Sequence, residues 1–97
     1  MKLKGKQKTY LRGLGSQLTP TVFIGKEGIS EAILRSLDEA HSNTELVKIR
    51  IARGCPLDRQ EVGQVIVNST QSELVQILGR TLLFYRSQDK PTIELSK

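Results

Sequence analysis

The apolar residues change their spacing along this chain, and each change marks an element. From about Gly5 to Leu18 the spacing is helical: Leu11, Leu14 and Leu18 fall on one stripe, while Lys8, Arg12 and Ser16 follow i, i+4 on another face. Gly13 and Gly15 each weaken such a helix by about 1 kcal/mol against alanine, so packing has to hold it. Pro20 ends it and biases Thr19 towards extended geometry. Thr21-Val22-Phe23-Ile24 reads as a short strand that runs into the tetrapeptide Gly25-Lys26-Glu27-Gly28. Ser30 then caps a second helix, and Glu31 suits the dipole of its first turn. Ile29, Ile33, Leu37 and Ala40 form the apolar stripe of that helix, and His41, Ser42 and Asn43 close it.

From Glu45 to Ile51 the period drops to two, with Val47, Ile49 and Ile51 on one face and Lys48 and Arg50 on the other. A loop through Arg53, Gly54, Cys55 and Pro56 follows. The third helix has the clearest start in the chain: Asp58 and Glu61 form a capping box, with Leu57 and Val62 as the hydrophobic staple. Val62, Val65 and Ile66 supply its expected buried face. Leu74 to Leu78 and Thr81 to Arg86 read as two strands, and the Gly79-Arg80 link favours a type II′ hairpin. The tail from Ser87 contains Pro91 and has room only for a short extended piece over Thr92 to Leu95. No repeat or low-complexity segment interrupts the chain. The order is α-β-α-β-α-β-β, an α/β domain whose mixed sheet has helices packed against it.

Ninety-seven residues make a single domain, 1–97, with a modest core. A hydrophobic fraction of 37% and a charged fraction of 26% are globular values rather than disordered ones. Aromatic side chains are confined to Tyr10, Phe23, Phe84 and Tyr85, so the core is aliphatic. Their scarcity also argues against binding that rests on rows of stacked bases. A net charge of +5 and a pI near 9.7 favour an anionic partner. The longest apolar run, around Leu82 to Tyr85, is strand-sized, so no membrane partner is expected. The lysines at positions 2, 4, 6 and 8 are not followed by the apolar stretch of a secretory signal. Cys55, the one cysteine, fits a reducing compartment, and a cytoplasmic location is expected.

Catalytic chemistry finds little support. His41 lies at a helix end with only Asp38 and Glu39 near it in sequence, which reads as a satisfied or solvated helix-terminal histidine. Cys55 has no second cysteine for a zinc site, and as a nucleophile it would depend on His41, the only histidine. The glycine loop lacks the spacing and the Lys-Ser/Thr of a P-loop. No enzyme, no cofactor, no metal and no small-molecule substrate is expected. The basic residues are more informative: Lys8 with Arg12, Lys26 in the glycine loop, Lys48 with Arg50, and Arg80 at the hairpin. Taken singly, each is most simply a solvated surface charge. If they cluster, they neutralise phosphates.

At this point the chain resembles a known family. Gly5-Lys6-Gln7-Lys8, Leu11-Arg12 and Leu14, then Val22 to Ile29 around the GxxG, then Glu45-Leu46-Val47-Lys48-Ile49, are similar to the CRM domain of chloroplast RNA splicing and ribosome maturation. Cys55-Pro56-Leu57-Asp58 and Leu74 to Thr81 continue the likeness in the same order, so it spans about residues 4–85. The chain is similar to the bacterial single-domain, YhbY-type form. The resemblance implies a two-layer sandwich like the C-terminal domain of translation initiation factor three, with a four-stranded mixed sheet. It also implies RNA binding and association with precursors of the large ribosomal subunit, with the GxxG loop as the RNA contact. Here that loop is Gly25, Lys26, Glu27 and Gly28; small residues admit the RNA backbone, Lys26 supplies charge, and the following helix start points N–H groups at phosphate. Glu27 departs from the pattern, being acidic where many members carry an uncharged or basic residue, and is not counted as a contact.

The expected function is therefore RNA binding in assembly of the large subunit, by a monomer whose partner is ribosomal RNA. Gly25, Lys26 and Gly28 are the first candidate contacts, Lys8 and Arg12 the second group, and Lys48 and Arg80 the third. A protein–protein adaptor on the ribosome, with incidental basic charge, is the alternative.

Overall fold

The computed structural model describes residues 3–88 and Ile93. Its elements follow the expected order: α1 (Gly5–Gly15), β1 (Val22–Ile24), α2 (Glu31–Asn43), β2 (Leu46–Ile51), α3 (Arg59–Thr70), β3 (Glu73–Leu78) and β4 (Thr81–Tyr85). The strands form one mixed sheet in the order β1-β2-β4-β3. β1 runs parallel to β2, and β4 is antiparallel to both β2 and β3.

Local chemistry sets the boundaries. Ser30 Oγ accepts from the Ile33 N–H at 3.2 Å and starts α2. At α3, Asp58 Oδ1 accepts from the Glu61 N–H at 2.8 Å, and Glu61 Oε1 accepts from the Asp58 N–H at 3.3 Å, which closes the capping box. Asp58→Ala is expected to lower stability by about 1 kcal/mol, read as a lower midpoint in urea unfolding with an unchanged slope. At the β3–β4 link Gly79 has φ +60 while Arg80 keeps a negative φ, as a type II′ turn requires.

Helices cover both faces of the sheet. α2 and α3 bury the larger core, built on Ile24, Leu37, Ile49, Val62, Ile66, Leu82 and Phe84, and with the sheet they make the two-layer sandwich. α1 adds a partial cover on the other face, where Leu11 joins Leu46, Val75, Leu83 and Tyr85. Alternation along β4 explains the division, since Leu82 and Phe84 point one way and Leu83 and Tyr85 the other. The same alternation puts Leu74 and Val75 in opposite cores, and the bulge between Leu74 and Gln76 leaves Val75 without a register partner on β4.

Several expectations are corrected. α1 stops at Gly15, and Leu14 and Leu18 are 36% and 39% exposed rather than buried. The buried line is Leu11 and Gly15, because the helix end lies directly on Leu83. A Cβ at Gly15 would collide with Leu83 Cδ2 and stand 3.0 Å from Cδ1. In α3 the buried residues are Val62, Ile66 and Thr70, spaced by four, with Gly63 against Leu74 and Leu82 of the sheet, and Val65 on the flank is 38% exposed.

His41 is neither solvated nor paired through its ring. It is fully buried, and neither ring nitrogen completes a hydrogen bond among the described residues. The segment after β4 covers it. Arg86 Nη1 reaches Asp38 Oδ1 at 2.7 Å and the Thr70 carbonyl at 3.1 Å, while Gln88 Nε2 donates to the His41 carbonyl at 2.9 Å. Glu45, expected at the start of a half-exposed strand, is also fully buried. Its Oε1 accepts from the Ile93 N–H at 2.7 Å and its Oε2 from the Tyr85 hydroxyl at 3.4 Å. Apart from Ile93, the extended piece expected over Thr92 to Leu95 lies outside the described residues.

Candidate nucleic-acid interface

The parallel pair β1 and β2 ends on the same side of the molecule as the β3–β4 hairpin, and this brings three turns side by side. Residues 25–28 form the first, closed by the Gly28 N–H on the Gly25 carbonyl at 3.0 Å. Residues 52–55 form the second, closed by the Cys55 N–H on the Ala52 carbonyl at 3.1 Å. The Ala52 N–H bonds the Ile24 carbonyl at 2.8 Å, which ties the second turn to the first. The Ile51 N–H bonds the Arg80 carbonyl at 2.7 Å, which ties it to the hairpin.

The two glycines of the first turn stand in different situations. Gly28 has φ +71, a left-handed conformation that side chains disfavour, and a Cβ there would sit 3.5 Å from Pro56 Cγ. Gly25 has no positive φ, and a Cβ there would meet nothing within 4 Å. Gly28 is thus required by the turn, whereas nothing inside the described molecule requires glycine at 25. Lys26 and Glu27 occupy the two central positions of the turn and are exposed. The Lys26 stem runs along Gly54, where a Cβ would lie 3.5 Å from Lys26 Cγ.

Arg80, at the hairpin, joins this end as the sequence suggested, and Arg53 and Arg59 were not singled out beforehand. Arg53 sits at the second turn, and Arg59 Nη1 donates to the Gly79 carbonyl at 3.0 Å. Both carried a signal. Arg53 precedes a glycine directly after a strand, and Arg59 is the first residue of α3, where the helix dipole disfavours a cation. Together Lys26, Arg53, Arg59 and Arg80 make a cationic rim, and its acidic neighbours are Glu27, exposed on the first turn, and Asp58, which caps α3 and also lines the cavity below. A cavity of about 390 Å³ lies between the second turn, the hairpin and the start of α3, lined by Ile51, Cys55 and Leu57 beside Arg53, Arg59 and Arg80.

The other candidates lie elsewhere. Lys8 and Arg12 are on α1, across the sheet from α2 and α3; Arg12 is exposed with Nη2 on Thr9 Oγ1 at 2.9 Å, and Lys8 is half-buried. Lys48 is engaged within the fold. Its ammonium donates to the Gly15 and Leu18 carbonyls, both at 3.2 Å, and so fastens the C-terminal end of α1 to β2. Arg50 is exposed and pairs in register with Phe23, which is 62% exposed on the edge strand.

His41 and Cys55 flank opposite ends of β2, which at about 3.3 Å per residue places them about 20 Å apart and removes them as a base–nucleophile pair. Among the described residues no group of three or more His, Cys, Asp or Glu side chains is arranged to hold a metal ion. Among them, too, no helix is long and apolar enough to cross a membrane.

Residues 3–86 match the CRS1/YhbY (CRM) domain family. The chain is 35% identical over 94 residues to the Bacillus subtilis protein named "Probable RNA-binding protein YqeI", covering 96% of this chain and 98% of that one. It is 33% identical over 95 residues to a Haemophilus influenzae protein named "RNA-binding protein", covering 98% and 96% respectively. The fold is similar to the solution structure of the hypothetical protein SAV1595 from Staphylococcus aureus, with a TM-score of 0.84 and 38% identity over 98% of this chain and all of that one. The chain belongs to the CRS1/YhbY (CRM) domain family.

Proposed function

We propose that this protein binds RNA, with the GxxG turn as its backbone clamp, and that the RNA is ribosomal RNA in precursors of the large subunit, whose assembly it assists. The observation that carries the clamp is Gly25. A glycine that the fold does not need, beside an exposed lysine and on a turn flanked by three arginines, is explained by a partner whose backbone comes close. The names of the Bacillus and Haemophilus relatives support RNA as that partner. Ser30 Oγ already takes one N–H at the start of α2, so the charge of Lys26 and the open backbone at Gly25 carry more of the contact than the helix start does.

On this reading Gly25, Lys26, Gly28 and Arg80 hold one stretch of phosphates, and Arg12 with Lys8 extends the surface on α1. Lys48 is assigned to the α1–β2 contact and not to RNA. The protein acts as a cytoplasmic monomer without a cofactor.

Gly25→Ala separates clamp from fold. It is expected to leave the urea midpoint unchanged, within about 0.5 kcal/mol, and to weaken binding of a structured ribosomal RNA fragment about tenfold, a change of about 1.4 kcal/mol. Gly28→Ala is expected to do both, lowering stability by about 1–2 kcal/mol because alanine is strained at φ +71. Native affinity in Gly25→Ala would remove the clamp.

A further inference from the structure

The cavity beside the GxxG turn has features that a phosphate clamp alone does not call for. Phosphates need exposed cations, and Lys26, Arg53 and Arg80 at the turns supply them. The space behind those cations is about 390 Å³, the size of a small ligand site, and its more buried lining is apolar: Ile51, Cys55 and Leu57. Arg59 belongs to the same wall, with its guanidinium held by the Gly79 carbonyl at 3.0 Å. Aliphatic surface beside the held guanidinium plane of Arg59 suits a flat heterocycle, because arginine stacks on bases as aromatic rings do. A base inside a duplex cannot enter such a space, whereas one in a bulge or loop can.

We propose that this groove receives one unpaired nucleotide of the bound RNA, its base against Ile51, Cys55 and Leu57 and its phosphate among Arg53, Arg59 and Arg80. The proposal rests on the RNA-binding reading above and adds to it a preference for RNA interrupted by an unpaired residue.

Cys55 is the only cysteine and half-buried in the groove wall, which makes it a native probe. Two hairpin RNAs, identical except for one bulged nucleotide, would be titrated against the full-length protein and against protein alkylated with N-ethylmaleimide, which fills the groove without changing charge. The native protein is expected to bind the bulged hairpin about tenfold more tightly, and the alkylated protein to bind both alike. Saturating bulged hairpin should slow Cys55 alkylation severalfold, while the uninterrupted hairpin should not. A single adduct, on the Cys55 peptide, in mass spectrometry of the alkylated protein excludes side reactions. Equal native affinity for the two hairpins, or alkylation equally fast with and without the bulged one, would overturn the groove and leave the clamp standing. Binding to neither hairpin would overturn both.

Discussion

Acidifying the native protein from about pH 7 to about pH 4.5 is expected to weaken its fold by about 2–3 kcal/mol through His41 alone. Burial first, and then the Arg86 guanidinium, hold the His41 pKa down to about 4, against the backbone at Thr44 and Glu45 and the Asp38 carboxylate, which pull the other way. The ordinary histidine value is 6.5, so between the two values the unfolded chain holds a proton that the folded chain does not. The stability from the neutral, buried ring is complete above the unfolded value and is lost as pH falls through the folded one. Urea unfolding across that window should show a falling midpoint for the native protein. His41→Leu should flatten the fall, because a ring whose nitrogens complete no hydrogen bond among the described residues can be replaced by apolar volume. The same slope in both proteins would place the titration elsewhere.

The second large effect is on binding. Lys8→Gln combined with Lys26→Gln is expected to weaken RNA binding by about 15–30-fold at about 0.15 M salt, and to reduce the slope of log affinity against log salt by about 1.4–1.8. Each lysine that neutralises a phosphate releases counterions, so two lost contacts remove about that much of the slope. The two lysines stand on different elements, Lys26 at the turn after β1 and Lys8 on α1. Their effects should therefore add if one RNA spans both. An unchanged slope in fluorescence anisotropy titrations over a range of salt would contradict the phosphate contacts.

Much of the fold was legible because its signals are local. Ser30, the Asp58–Glu61 pair and the Gly79 link each act within a few residues, and each is found with its expected partner. Tertiary contacts were not legible. Leu14 and Val65 fit an apolar stripe as well as their buried neighbours do, and only the close approach of Gly15 to Leu83 and the fourfold spacing of Val62, Ile66 and Thr70 decide which residues face the sheet. The burial of His41 depends on Arg86 and Gln88, more than forty residues away in sequence. The candidate site divides in the same way. The tetrapeptide around Lys26 is a contiguous motif and reads directly from the chain. Arg53 and Arg59 join Arg80 only because the end of β2, the start of α3 and the hairpin come together. Lys48 could not be told from a surface cation until its bonds to the Gly15 and Leu18 carbonyls were seen.

The central claim is direct contact between the GxxG turn and ribosomal RNA during assembly of the large subunit. Ultraviolet crosslinking in living cells, followed by sequencing of the bound RNA and mass spectrometry of the modified peptides, tests it most directly. The expected result is adducts on peptides containing residues 22–29, joined to RNA from large-subunit precursors. Recovery of the protein with a ribosomal protein after nuclease treatment, and with no RNA adduct on those peptides, would contradict the account and favour the adaptor.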